Sequence, residues 1–506
     1  MQKCFNTDKR IRLGIWGLGR GTNFIKAANA VNIDIVAGCD YSQSLRDRFR
    51  EQCPDAFITA DENEFLSFRG MDAVLIATYF EKHAEHTVKA LEAGYHVMCE
   101  VTSFFTPAEG VRVVEAVQRS GKVYNLLENY PFTKENLYLT KLWKDGLFGE
   151  FQYGEFEYLH ECRTLCYGYN MPGCPPVEPG YTAHSWRSWL DFHYYNTHSL
   201  GPVMKITRLR PVEVEAFPEA VSLPGYLPGS GMSKPCPSMI RMSNGGIMRN
   251  LCGATTGDYH MDKRIWGTRA SAESLGGHGL FLRVGAAGSG LRTAVEPVWP
   301  ELGELAESAG HGGGDFWELY YFAREILTGE PAPWDIFSAC DVTLAGIMAV
   351  RSHEAGGKPM AIPDFRDPAV RECYRNDNGA MKRPFDPAKI FPDGHDPEQT
   401  SVFTNLMLQL IRQSTLLREA CDGAAIFAQI SDSENRLQII RELNQLAEIL
   451  PELTAARKQA EKLIGMYPDS PAAGALKSVL TLGEPEILDT DLQKKLKQKL
   501  AELLLE

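Results

Sequence analysis

Apolar and polar positions follow two different periods along this chain, and the change of period divides it. Ile11–Trp16 is an apolar run of strand length, followed at once by Gly17-Leu-Gly19-Arg20-Gly21 and an alanine-rich stretch over 24–30. That order predicts strand, glycine turn and helix. A second apolar run, Ile33–Cys39, ends in Asp40. A polar helix over 42–51, strands over 56–59 and 73–77, a helix over 83–93, a strand over 95–99, a helix over 107–120 and a strand over 123–127 continue the alternation. Strand and helix repeated at this spacing predict an α/β domain over 1–128, built on a Rossmann doubly wound parallel sheet.

Beyond residue 128 the pattern changes. A helix over 134–143 leads through Gly146-Leu-Phe-Gly149 into 151–159, which alternates like a half-buried strand. Residues 164–182 hold Pro172, Pro175, Pro176 and Pro179 and read as a long loop. Strands are expected over 211–217, 238–242, 246–250 and 264–267, and helices over 316–327 and 337–353. The expectation for 129–395 is a second α+β domain with a mainly antiparallel sheet. From 396 to 506 Leu, Ile, Ala, Glu and Lys recur at helical spacing, predicting a C-terminal helical extension that packs or binds a partner rather than catalyses.

Composition narrows the function classes. With 506 residues the chain exceeds one core. A formal charge of -13 and the lack of a basic run argue against nucleic-acid binding. No apolar segment reaches bilayer length and residues 1–10 are polar, so a cytoplasmic protein without membrane partners is expected. Most of the 12 cysteines sit singly in apolar runs, consistent with reduced thiols. His160, Cys162, Cys166 and Cys174 are zinc-capable but lack paired Cys-x-x-Cys spacing, and no metal is expected there.

The glycine loop carries the first chemistry. Gly17 permits the tight turn, Gly19 lets the backbone approach a pyrophosphate, and the helix N-terminus meets its charge. Gly21 comes one residue early, with Thr22 where the third fingerprint glycine is usual. Asp40 stands where a carboxylate accepts the ribose hydroxyls of NAD and repels a 2'-phosphate. NAD is therefore the expected cofactor, with Gly17, Gly19, Arg20, Gly21 and Asp40 at its site.

Ala77-Thr78 at a strand end, His83 and His86 on the next helix, Ala90-Leu-Glu-Ala-Gly94, and His96-Val97 through Glu100 resemble the Gfo/Idh/MocA oxidoreductase family, over roughly 11–390. The family generally follows that glutamate with lysine and proline; here Val101 and Thr102 stand in their places. Valine cannot donate a proton or titrate, which removes the lysine-assisted hydride-transfer mechanism. A closer resemblance, to the NAD-dependent α-N-acetylgalactosaminidases of glycoside hydrolase family 109, lies in Leu127-Glu128-Asn129-Tyr130, Glu157-Tyr158-Leu-His160-Glu161-Cys-Arg163, Trp186-Arg187 and Tyr195-Asn-Thr-His198-Ser-Leu-Gly201-Pro202. Valine follows the glutamate there too.

This resemblance implies a redox-neutral glycoside cleavage: C3 of the sugar is oxidised, the ketone acidifies the C2 proton, the aglycone leaves, water adds to the enone and C3 is reduced again. It implies Tyr158 as the C2 base, His160 on the same strand face as a sugar contact, His198 at the C3 hydroxyl and Arg187 for the enolate or a substrate acceptor. Thr78, His83, Glu100, Glu128 and Asn129 are implied on the cofactor side, Glu128 and Asn129 reaching the sugar as well. The expected substrate is a small glycoside, and pairing of copies is expected for this fold class. Competing readings are a packed aromatic at 158, a structural histidine at 198, an Arg187–Asp191 pair and a strand brace at Glu128. At the level of function they are an ordinary sugar or inositol dehydrogenase and a non-catalytic NAD-binding scaffold.

Overall fold

The computed structural model describes residues 4–167, 186–217, 221–255, 261–285, 290–299, 302–383, 403, 406–407, 409–410, 452–480 and 498. Two compact units emerge. The first comprises Met1–His160, Asp191–Val221 and Lys234–Lys382; the second comprises Glu161–Leu190, Ser222–Ser233 and Arg383–Glu506.

The first unit opens with strands β1 (Ile11–Trp16), β2 (Ile33–Cys39), β3 (Phe57–Thr59), β4 (Ala73–Ile76), β5 (His96–Glu100) and β6 (Tyr124–Leu127). They form one parallel sheet in the order β3-β2-β1-β4-β5-β6, the nucleotide-binding order 3-2-1-4-5-6. Near-continuous apolar strands suit a sheet covered on both faces: β4 and β6 are buried throughout. The helix Pro107–Ser120 shows how local sequence fixes the boundaries. Thr106 and Glu109 make a reciprocal capping box, and Gly121 ends the helix with φ 63°.

A second, nine-stranded sheet is built from β7 (Phe151–His160), β8 (Pro211–Ala216), β9 (Pro235–Met242), β10 (Ile247–Ala254), β11 (Lys263–Gly267), β12 (Ala270–Ser274), β13 (Leu280–Val284), β14 (Leu291–Val295) and β15 (Met360–Ala361). Its order is β14-β13-β12-β11-β7-β10-β9-β8-β15. All neighbours are antiparallel except β7 and β10, which run parallel with Cys252 opposite Tyr158 and Ala254 opposite His160. The long helices Gly314–Thr328 and Ile336–Glu354 belong to this unit, and Ala216 donates its amide to Ser352 of the latter at 2.9 Å.

The structure differs from the sequence pattern at several elements. The residues after the glycine turn form a 3-10 turn, Arg20–Phe24, before the short α-helix Ile25–Ala28. Strands β12 to β14 were not expected, because β14 is almost wholly exposed and shows no apolar alternation. Thr197–Thr207 is a buried helix with Pro202 inside it, two features that hide its period.

In the second unit, Arg163–Tyr167 and Pro471–Leu480 are helical. Most of the expected proline-rich loop, including Cys174, and much of the expected helical extension lie outside the described residues. Among the described residues no helix is long and apolar enough to cross a membrane.

Candidate active site

The glycine turn ends β1 against the start of the loop after β4. Gly17 takes φ +99°, and a Cβ there would collide with the backbone of Ala77 and Thr78, so only glycine fits. Asp40, at the end of β2, accepts the Leu18 amide at 2.8 Å through one oxygen and the Ser42 amide at 2.8 Å through the other. Burial pushes this carboxyl above its ordinary value, against the pull of the Ser42 and Leu18 amides and Arg46. A carboxylate carries four lone pairs, so two backbone bonds leave acceptor capacity for a ribose diol. Turn and carboxylate together fit a dinucleotide without a 2'-phosphate.

Arg20 turns toward the protein. Its guanidinium meets Glu100, at the end of β5, at 2.8 Å and grips Asp315 with two nitrogens at 3.0 and 2.8 Å. Burial acts against its charge, but Glu100, Asp315 and Glu318 outweigh it and raise the guanidinium above its ordinary value. On the far side, His311 Nδ1 lies 3.0 Å from Asp315. This chain of charges ties the nucleotide loop to the start of the helix Gly314–Thr328. His83 is likewise a brace: Nδ1 sits 2.7 Å from the Thr102 carbonyl and Nε2 3.0 Å from the Thr78 carbonyl, with the ring buried. The Thr78 hydroxyl bonds His86 Nδ1 at 2.8 Å, and His86 stacks on Trp16 at 3.9 Å. Glu100 also accepts the Val101 amide at 3.2 Å.

At the end of β6, Glu128 is fully buried and accepts the Tyr130 amide at 3.2 Å. Both of its oxygens face His198 Nδ1, at 2.9 and 3.0 Å. The histidine comes from the helix Thr197–Thr207, whose close approach to this edge depends on Gly201: a Cβ there would lie 3.2 Å from the Glu128 side chain. The carboxylate accepts a hydrogen bond from Nδ1–H, which leaves the basic lone pair of His198 on Nε2.

Tyr158 arrives from β7. Its ring lies edge-on to His198 at 4.6 Å, with Tyr130 also edge-on to His198 at 4.6 Å. His160, two residues along the strand, has its ring 6.1 Å from Tyr158, and Tyr195 stacks on Tyr158 at 6.1 Å. Tyr130 and His311 are 6.1 Å apart, closing a path from the Arg20 cluster to the tyrosines.

Two buried groups beside this path lack hydrogen-bond partners among the described residues: Asn129 Oδ1 and both oxygens of Glu318. Burial, then repulsion from Asp315 and Glu100, raises the Glu318 carboxyl well above its ordinary value, and Arg20 offsets only part of this. Its surroundings favour the protonated, uncharged form. Orphaned buried polar atoms at the edge of a nucleotide site are what a bound dinucleotide or sugar would satisfy.

Arg187 belongs to the second unit, where its guanidinium lies over the Trp186 ring at 4.4 Å and its carbonyl accepts from the Cys166 thiol at 3.0 Å. Asp191 has His193 and His353 as partners. Burial pushes the Cys162 thiol to about 12 and the Cys166 thiol well above its ordinary value. Asp315 and Glu318 were not legible as candidate site residues, since each is an ordinary helix residue until the fold closes around it, and Tyr130 stood in the Leu127–Tyr130 motif without a role.

Comparison with known proteins bears on the fold and the family. Residues 11–127 match the Gfo/Idh/MocA oxidoreductase family, NAD-binding Rossmann fold, and residues 293–370 match the glycosyl hydrolase 109 C-terminal domain. A glycosyl hydrolase family 109 protein of Shewanella putrefaciens is 26% identical over 404 residues, covering 70% of this chain and 85% of the relative. An alpha-N-acetylgalactosaminidase of Shewanella oneidensis is 25% identical over 399 residues with the same coverage. Among solved structures, a levoglucosan dehydrogenase in complex with NADH and levoglucosan matches with TM-score 0.57 and 18% identity, over 70% of this chain and 100% of that one. An oxidoreductase from Agrobacterium radiobacter, in complex with NAD+, L-tartaric acid and magnesium, matches with TM-score 0.56 and 15% identity, over 70% and 99%. The chain therefore pairs an NAD-binding oxidoreductase fold with a family 109 C-terminal domain.

Proposed function

We propose that the protein is an NAD-dependent glycoside hydrolase that cleaves small glycosides by transient oxidation at C3, proton abstraction at C2, elimination, water addition and re-reduction. The observation that carries this reading is the pairing of two proton-handling groups, His198 held by Glu128 and Tyr158 at 4.6 Å from it, beside a nucleotide edge where Val101 replaces a titratable side chain. Net oxidation of an alcohol needs one base; elimination after oxidation needs two, one for the C3 hydroxyl and one for C2.

NAD, bound along Gly17, Gly19, Arg20 and Gly21 with its ribose on Asp40, would supply acceptance and return of the C3 hydride. Arg20 and His83 act through the backbone they brace, while Thr78, Glu100, Glu128 and Asn129 line the same edge. His198 would take the C3 hydroxyl proton at Nε2 while Glu128 stabilises the imidazolium through Nδ1. Tyr158 would remove the C2 proton as phenolate, and the neighbouring imidazolium lowers the cost of that charge. His160, on the same face of β7, would hold a sugar hydroxyl. The assignment of Arg187 to the enolate or a substrate acceptor rests on the Trp186-Arg187 motif.

Chromogenic α- and β-glycosides hydrolysed in heavy water test this directly. The expected result is aglycone release with deuterium at C2 of the sugar; release with an unlabelled C2 would leave direct displacement as the mechanism. A second reading, a sugar dehydrogenase, is favoured by the fold shared with levoglucosan dehydrogenase. Stoichiometric NADH without aglycone release would establish it.

A further inference from the structure

Behind the helix that carries His198, three donors converge in the interior of the first unit, with a cysteine thiol beside one of them. Asp191 and His193 flank the start of the 3-10 turn Phe192–Tyr195, His353 comes from the last turn of the helix Ile336–Glu354, and Cys236 comes from β9. One ligand atom from each of Asp191, His193 and His353 lies within 4.8 Å of the other two. His193 Nδ1 is 2.9 Å from Asp191 Oδ1, and His353 Nδ1 is 3.4 Å from Asp191 Oδ2. The Cys236 thiol is 3.7 Å from Asp191 Oδ1. Asp191, His193 and Cys236 are buried.

The spacing suits one small cation. Zinc bonds of about 2.0–2.1 Å to nitrogen or oxygen and about 2.3 Å to sulfur, set at tetrahedral angles, separate neighbouring ligand atoms by roughly 3.3–3.6 Å. The ligand atoms of Asp191, His193 and His353 lie within 4.8 Å of one another, so small side-chain adjustments bring them onto one such cation. Two imidazoles, a carboxylate and a thiol form a donor set for zinc rather than for magnesium or calcium. A second observation points the same way: His193 Nε2 is buried without a hydrogen-bond partner. With Nδ1–H donating to Asp191, the lone pair of His193 sits on Nε2, where it is orphaned at a cost unless a cation takes it.

We propose that Asp191, His193 and His353 form a structural zinc site that pins the start of the His198 helix, the Cys236 thiol turning in from beside Asp191 as the fourth donor. Binding would release the thiol proton of Cys236 to solvent. The packing is already close: a Cβ at Gly346 would lie 2.6 Å from the His193 carbonyl, so this turn lies directly against the helix Ile336–Glu354. The cation would therefore fix the helix holding His198 against the sheet and the long helix, at a distance from the sugar chemistry.

The test uses the full-length chain and reads metal, so its outcome is separate from that of the hydrolase assignment. Protein stripped with a chelator, loaded with zinc and gel-filtered should retain about one zinc per chain by elemental mass spectrometry. The cobalt-loaded chain should show intense tetrahedral bands and a thiolate charge-transfer band that Cys236→Ser removes. His353→Gln should weaken zinc binding by more than about tenfold, whereas Cys166→Ser should leave it unchanged. A wild-type chain that retains no zinc, gives a six-coordinate cobalt spectrum, or loses its metal through Cys166→Ser but not His353→Gln would overturn the site. Because the wild-type stoichiometry and spectrum suffice, a His353 variant that fails to fold does not blunt the test.

Discussion

The Glu128 carboxylate addresses a single nitrogen of His198 with both oxygens, at 2.9 and 3.0 Å, from a position with no solvent exposure. A buried carboxylate on Nδ1 fixes the ring orientation and the tautomer, and it favours the imidazolium when a proton arrives at Nε2. Glu128→Gln keeps the shape and removes the charge. Turnover should fall by about 10²–10⁴-fold, in the range of general acid–base contributions, while NAD affinity stays within a few-fold. Steady-state kinetics and NAD titration of the same preparation check both.

Tyr158→Phe preserves the ring that packs on His198 and Tyr195 and deletes the phenol. Oxidation at C3 should persist, seen as a burst of absorbance from reduced bound cofactor, while C2 deuterium exchange and aglycone release drop by at least ~10²-fold. If both steps fall together, Tyr158 is not a dedicated C2 base.

Arg20 holds Glu100 and Asp315 together in a region where its side chain is 15% exposed and that of Asp315 2%. Arg20→Met leaves two carboxylates without their cation, and breaking a buried pair in this way costs about 3–5 kcal/mol. The thermal unfolding midpoint should fall, and NAD should bind more weakly because the turn it braces loosens. Arg20→Met with an unchanged midpoint would mean that the two carboxylates find other partners.

Acid stability should depend on His86. Burial, with the neighbouring His83 adding to it, lowers this imidazole to about 3, and the Thr78 hydroxyl is bonded to its Nδ1. A base with a lowered folded pKa favours folding fully above its unfolded value, near 6.5, and that contribution is lost as pH falls toward 3. The loss amounts to a few kcal/mol, so denaturant midpoints should decline between about pH 6.5 and 3, and less steeply in His86→Gln.

Glu318 should give the opposite slope. A carboxyl with a raised folded pKa contributes stability below its unfolded value, near 4.5, that is lost as pH rises through the folded one. Glu318→Gln, a neutral isostere, should therefore flatten the decline in stability that sets in above about pH 4.5. An unchanged profile would show that Glu318 is ionised in the folded protein.

The sequence by itself determined the Rossmann half and the types of group available for catalysis. The run Ile11–Trp16, the glycine turn and Asp40 act through neighbours in the chain and through a strand period that needs no distant partner. Tyr158 and His160 share a strand face for the same local reason. Only the tertiary structure decided which groups meet. Glu128 reaches His198 across 70 positions, and Arg20 reaches Asp315 across 295. Pairings at such separations leave no local period, because they are set by how sheets and helices bury their apolar faces. The His198 helix was hidden for a related reason: it is buried all round and contains Pro202, so the contrast between apolar and polar positions that marks a surface helix is absent.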